Sequence, residues 1–238
     1  MSMKTNAVVL SSGGLDSSTC IAWAIKNAGY AEVVSLSVYY GQRHEKELEY
    51  AREIADYYNI RHLELDLQSV MQYSNCNLLA KNEDTIPNKS YAEQIEENGT
   101  GRVSTYVPFR NGLMLSVATA ISDSLFPEEK VDILYGAHAD DAAGEAYADC
   151  SSEFANAMGR AINIGTYGNI AVVAPFVDKT KADIVKLGLS LNVPYELTWS
   201  CYHGDAEPCH KCGTCIDREN AFKANGVIDP WAQSVSAE

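Results

Sequence analysis

Five short runs of β-branched and aliphatic residues alternate with helical patterns along this chain, and that alternation constrains its fold more than any other feature. The runs are Ala7-Val8-Val9-Leu10, Val33 to Val38, His62 to Leu67, Asp132 to Gly136 and Ile170 to Pro175. Residues 17–28 carry Ile21, Ala24, Ile25 and Ala28 at helical spacing, and Gly29 closes the pattern. Residues 43–58, 112–125, 151–163 and 180–191 read as further helices. Such alternation covers both faces of a parallel sheet with helices. The expected fold is therefore α/β, a doubly wound parallel five-stranded sheet. Ligands bind these sheets at the carboxyl ends of the strands, just after Leu10, Val38, Tyr135 and Pro175 here. Residues 68–104 are polar and weakly periodic, a loop-rich insertion in a main domain expected over 1–197. Residues 198–238 form a smaller segment that holds most of the cysteines and a last short helix.

Charge excludes two classes of partner. Eighteen Lys and Arg against 32 Asp and Glu leave a net charge of −14 over 238 residues. That balance argues against a broad nucleic-acid footprint and against an anionic-membrane anchor, while leaving room for a local positive pocket. No apolar run reaches the ~18 residues of a membrane span. The first residues lead straight into a strand without a secretory pattern, so a cytoplasmic location is expected.

The first strand runs into Ser11-Ser12-Gly13-Gly14-Leu15-Asp16-Ser17-Ser18. Glycines let the backbone turn tightly and approach a ligand, and the helix that follows presents free N–H groups to an anion. The loop reads as a phosphate cradle, although it lacks both the Gly-Lys-Ser/Thr ending of a Walker loop and the third glycine of a dinucleotide loop.

Seven cysteines are present, and Cys201, Cys209, Cys212 and Cys215 fall within fifteen residues. Four thiolates in a turn-rich segment suit a closed tetrahedral zinc site, with an iron–sulfur cluster as the rival occupant. His203 and His210 are interleaved but unneeded as ligands. Cys20 on the first helix reads as a small buried apolar residue.

The Ser-Gly-Gly-Leu-Asp-Ser string resembles the signature of the PP-loop ATP pyrophosphatase family. That resemblance implies ATP cleavage between the α and β phosphates and transfer of AMP to a substrate oxygen. It places ATP along Leu10, Ser11, Ser12, Gly13, Gly14, Leu15, Asp16, Ser17, Ser18, Thr19 and Cys20, with Asp16 helping to hold Mg²⁺. Four further strings narrow the match: residues 105–111, 136–144, 147–150 and 178–181. Together with the cysteines they resemble the 7-cyano-7-deazaguanine synthase family over roughly residues 6–230. Two positions depart from that family's pattern: Phe109 where a small residue is usual, and Ala148 in place of a proline.

This second resemblance implies conversion of 7-carboxy-7-deazaguanine and ammonia into the nitrile, in queuosine biosynthesis, with two ATP. It also implies a homodimer. Ser12, Asp16, Arg110 and Lys179 are then the catalytic candidates. Arg110 and Lys179 suit a phosphate or the substrate carboxylate. Asp141 and Asp149 can accept the ring N–H and exocyclic amine of a guanine-like base, Asp149 being equally suited to capping a helix. Phe109 and Tyr147 either stack on the base or belong to the core. Arg43, His44 and Glu45 read as the start of a solvated helix rather than the border of the nucleotide. The alternative is another PP-loop adenylating enzyme, such as a tRNA thiolase or an ammonia-using amide synthetase; the acidic charge weighs against the first.

Overall fold

A computed structural model of the chain describes residues 5–43, 45–80, 86–89, 91–98, 103–142 and 146–231. His44 and the Ala143-Gly144 end of the 136–144 string lie outside the described residues. The strands are β1 (Asn6–Leu10), β2 (Val33–Tyr39), β3 (Arg61–Asp66), β4 (Val131–Leu134) and β5 (Ile170–Val173). All pairings are parallel, in the order β3-β2-β1-β4-β5. β1 is central, and the chain leaves it toward β2 on one side and returns to β4 on the other. That reversal opens the crevice in which doubly wound folds bind ligands.

Side-chain alternation along the strands builds one core on each face. Ala7 and Val9 of β1 pack with α1 (Leu15–Trp23), joined by Ile54 of α2 (Lys46–Tyr57), Ile184 of α8 (Lys181–Ser190) and Phe222 of α9 (Gly213–Ala224). Val8, between them in sequence, points the other way, into a core with Leu115 of α5 (Arg110–Leu125) and Ile162 of α7 (Ser152–Gly165). The sequence-expected fold class is thus observed, with differences at element ends. α1 starts at Leu15 because the loop ends at Gly14, and past Trp23 it loosens into a π-turn over Ala24–Ala28. α2 starts only at Lys46, with Glu45 exposed at its N-cap.

The described part of the 68–104 stretch holds more structure than its weak periodicity suggests. It contains α3 (Gln68–Met71) and α4 (Tyr91–Asn98). Met71, Cys76, Leu78, Leu79 and Ile86 are buried against Trp199, Cys201, Cys212, Cys215 and Trp231, forming a third core. Apolar residues spaced for a cluster that closes only with the far end of the chain leave no local period to read. A short α6 (Ala139–Ala142) follows β4. Among the described residues no helix is long and apolar enough to cross a membrane.

Candidate functional site

A cleft enclosing about 1230 Å³ of space, its open mouth included, lies at the carboxyl ends of β1, β2 and β4. Leu10, Ser11, Ser12, Gly14, Leu15, Asp16 and Ser17 form its floor. The serines brace the loop. Ser12 N–H donates to Ser17 Oγ (3.2 Å), Ser17 Oγ donates to the Gly14 carbonyl (3.2 Å), and Gly14 N–H donates to Ser12 Oγ (3.3 Å). Gly13 points away from the cleft at φ 69°. A Cβ there would stand 2.4 Å from the Glu47 carbonyl oxygen, so only glycine lets α2 close under the loop. Ser18, Thr19 and Cys20 are fully buried on the core side of α1, Thr19 Oγ1 lying 2.8 Å from Tyr195 Oη. Burial pushes the Cys20 thiol well above its ordinary range.

Asp16 is the most telling residue of the loop. Its Oδ2 lies 3.4 Å from Lys181 Nζ and 3.7 Å from His138 Nε2. Its Oδ1 is buried with no hydrogen-bond partner among the described residues. An orphaned carboxylate oxygen in a cleft is costly unless something binds it. His138 also faces Asp141 (Nε2 to Oδ2 3.3 Å), and Asp217 of α9 approaches Lys181. Burial opposes the charge on Lys181, but Asp16, Asp141 and Asp217 outweigh it and hold the ammonium protonated.

Arg110 enters from the start of α5 and lines the cleft with Tyr40, Tyr147 and Tyr202 nearby. Burial opposes its charge too, and those phenols with Glu47 more than compensate. Its Nη1 donates to Tyr40 Oη at 3.3 Å. Asp141 and Tyr147 also line the cleft, Tyr147 Oη lying 2.6 Å from Thr105 Oγ1.

Gly13, Ser18, Thr19 and Cys20 lie outside the cleft lining, and three further candidates stand elsewhere. Lys179 is exposed in the turn before α8, outside the cleft lining, whereas Lys181 lines the cleft. The signal for this lay in the sequence: Thr180 and Asp183 form a capping box, which makes Lys181 the first helical residue. Phe109 is 54% exposed at the α5 N-cap, edge-on to Phe154 at 5.9 Å. Asp149 is buried outside the cleft lining, where its Oδ2 accepts the Asn111 N–H of the first turn of α5 (2.9 Å). It caps α5, while Ser151 caps α7.

The C-terminal segment makes the opposite wall. Trp199, Ser200, Tyr202 and Thr214 line the cleft, and Trp199 N–H donates to the Gly13 carbonyl at 2.9 Å. Behind them the sulfurs of Cys201, Cys209, Cys212 and Cys215 all lie within 4.8 Å of one another. A tetrahedral ion bonded to sulfur at ~2.3 Å sets its ligands about 3.8 Å apart, so the cluster has the dimensions of a metal site. His203 and His210 stay outside it; His210 is exposed and faces Glu219.

A family model described as "Queuosine biosynthesis protein QueC" matches residues 6–226. A protein of Archaeoglobus fulgidus named 7-cyano-7-deazaguanine synthase is 42% identical over 225 residues, covering 94% of this chain and 88% of that one. One of the same name from Pseudoalteromonas atlantica is 38% identical over 228 residues, covering 96% and 98%. The structure of NMN synthetase from Francisella tularensis superposes with a TM-score of 0.50 at 14% identity, over 97% of this chain and 81% of that one, a likeness of fold alone. A glycine loop with an orphaned aspartate oxygen, two cations on one cleft and a cysteine-braced wall thus stand in a chain matched nearly end to end, and the chain belongs to the 7-cyano-7-deazaguanine synthase family.

Proposed function

We propose that this chain converts 7-carboxy-7-deazaguanine and ammonia into 7-cyano-7-deazaguanine in queuosine biosynthesis, consuming ATP. The observation that carries the reading is the convergence of the glycine loop, Asp16, Lys181 and Arg110 on one cleft. Ser12, Gly14 and Ser17 with the first N–H groups of α1 cradle the pyrophosphate. Lys181, held charged, and Arg110 neutralise the phosphates and the substrate carboxylate. Asp16, with its free Oδ1, fits Mg²⁺, which when bound supplies charge neutralisation for the leaving pyrophosphate. Asp141 and Tyr147 line the part of the cleft that remains for the deazaguanine ring.

The carboxylate is adenylated, ammonia displaces AMP to give the amide, and the amide oxygen is adenylated in turn before AMP leaves with formation of the nitrile. Both stages place a substrate oxygen against the α phosphate, so one cleft serves both. Incubation with the acid, ammonia and ATP, followed by mass spectrometry, tests the reading: nitrile, AMP and pyrophosphate are expected, and their absence refutes it. Lys181→Ala is expected to lower turnover by about 10²-fold or more, and Lys179→Ala to leave it close to wild type. Equal losses would return Lys179 to the site.

Zinc is the metal proposed for the four cysteines, and a homodimer acting on small molecules in the cytoplasm belongs to the same reading. The cysteine segment forms one cleft wall, so chelation is expected to weaken binding as well as stability. The melting temperature should fall about 2–4 °C per kcal/mol lost, with a rise in KM. Iron with sulfide on metal analysis, or an unchanged melting curve after chelation, would argue against zinc.

A further inference from the structure

Glu47 sits in the first turn of α2, directly behind the glycine loop. Its side chain lines the same cleft as Ser12, Asp16 and Arg110. Arg110 faces it from the start of α5, and Tyr40 from just past the end of β2. Among the described residues its carboxyl group accepts no hydrogen bond. The other acids on the cleft are engaged: Asp16 lies beside Lys181, and Asp141 beside His138.

Adenylation gives Glu47 no task beyond balancing the charge on Arg110, because Asp16 already offers an oxygen to the cation. The nitrogen chemistry does. Ammonia is almost wholly ammonium at neutral pH and has no lone pair to attack with. The adenylated amide must also lose a proton from nitrogen to become a nitrile. We propose that Glu47 is the proton acceptor in both nitrogen steps, a role that rests on the nitrile reading above.

In the first step Glu47 takes a proton from ammonium, and the freed lone pair bonds to the carbonyl carbon of the adenylated acid. The C–O bond to AMP breaks with its electron pair on the phosphate oxygen, and the surplus N–H proton passes to solvent through the cleft mouth. Glu47 then returns its own proton to solvent. O-adenylation leaves the amide nitrogen as a cationic NH₂ group that gives one proton to solvent, and in the second step Glu47 takes the remaining N–H proton of the now neutral O-adenylated amide. That N–H pair becomes the new C–N π bond as the C–O bond to AMP breaks. Burial pushes the Glu47 acid up to about 7, with Arg110 pulling the other way, which suits a base that must load and unload near neutrality.

The test compares two nucleophiles on the acid and ATP. Hydroxylamine is largely neutral at neutral pH, so it attacks without first losing a proton. Glu47→Gln is expected to lower amide formation from ammonium by about 10²-fold or more relative to hydroxamate formation from hydroxylamine, with Glu47→Asp restoring part of the difference. Equal losses with both nucleophiles would overturn the role. The wild-type enzyme gives a second readout should the variants not fold. At fixed total ammonium, a base at Glu47 makes the rate level off above pH about 7, whereas capture of free ammonia from solution would keep it climbing tenfold per pH unit, against the proposal. A wild-type chain that forms neither amide nor hydroxamate refutes the nitrile reading itself, and this role with it.

Discussion

Asp16→Asn is expected to slow nitrile formation by about 10²–10³-fold while leaving the melting temperature near wild type. The substitution keeps the shape of the side chain and removes its charge. Asp16 Oδ1 is buried and unpartnered, so it is available to a cation, and Oδ2 helps hold Lys181 beside the loop. An amide in this place still fills the space, but it offers one neutral oxygen where a cation needs a carboxylate, and it presents an N–H₂ group to Lys181 or to the metal. Pyrophosphate release from the acid and ATP is the direct measurement. Release within a few-fold of wild type would remove Asp16 from the machinery. A large loss of stability would instead mark it as a structural acid paired with Lys181.

The second large effect is on stability. Asp229→Ala is expected to destabilise the chain by about 3–5 kcal/mol, read as a shift in urea midpoint at unchanged slope. Arg218 on α9 is 1% exposed and bonds Asp229 through two parallel contacts, Nε to Oδ2 at 2.8 Å and Nη2 to Oδ1 at 3.0 Å. It also donates to Thr198 Oγ1 (2.8 Å) and to the Tyr195 carbonyl (3.0 Å), and its guanidinium lies 3.6 Å from the centre of the Trp231 ring. Burial lowers its pKa, with Asp229 pulling the other way. Removing the carboxylate leaves a cation in the core with its strongest partner gone. The double variant Arg218→Met, Asp229→Leu removes both charges and should recover much of the loss. A cost below about 1 kcal/mol for Asp229→Ala would show that water reaches the guanidinium.

The architecture and the glycine loop were legible because their signals are local. Ala7 to Leu10 announce a strand, Ser11 to Gly14 the turn, and five such alternations leave one sheet class. The cysteines were legible for the same reason, falling within fifteen residues. What required the structure depends on tertiary closure. Lys179 and Lys181 are two residues apart in similar sequence, and a helix start sends one to solvent and the other to Asp16. Asp149 precedes one helix in sequence but caps another, because the chain folds back on Asn111. Glu47 reads as one more surface charge on an acidic helix until Gly13 lets α2 close against the loop. Arg218 likewise belongs to a polar helix, and only Asp229 and Trp231 arriving from beyond it turn the residue inward.

The hydrogen bond from Trp199 to Gly13 joins the tenth part of the chain nearest its start to a segment near its end. A ribosome makes the loop long before the wall that faces it. Until Trp199 and the residues beyond it emerge, the loop has no opposite wall, and the buried residues of the 68–104 stretch lack Trp199, Cys201, Cys212, Cys215 and Trp231, a large part of their core. Contacts of such long sequence separation require the ordering of nearly the whole polypeptide before they form, which makes their assembly slow. A nascent or C-terminally clipped chain would therefore hold a sheet with an open nucleotide cradle and an exposed apolar cluster. The cleft is therefore expected to stay incomplete until the segment from Trp199 to Cys215 has been made and packed, and proteolysis near Trp199 is expected to open it without touching a residue of the glycine loop.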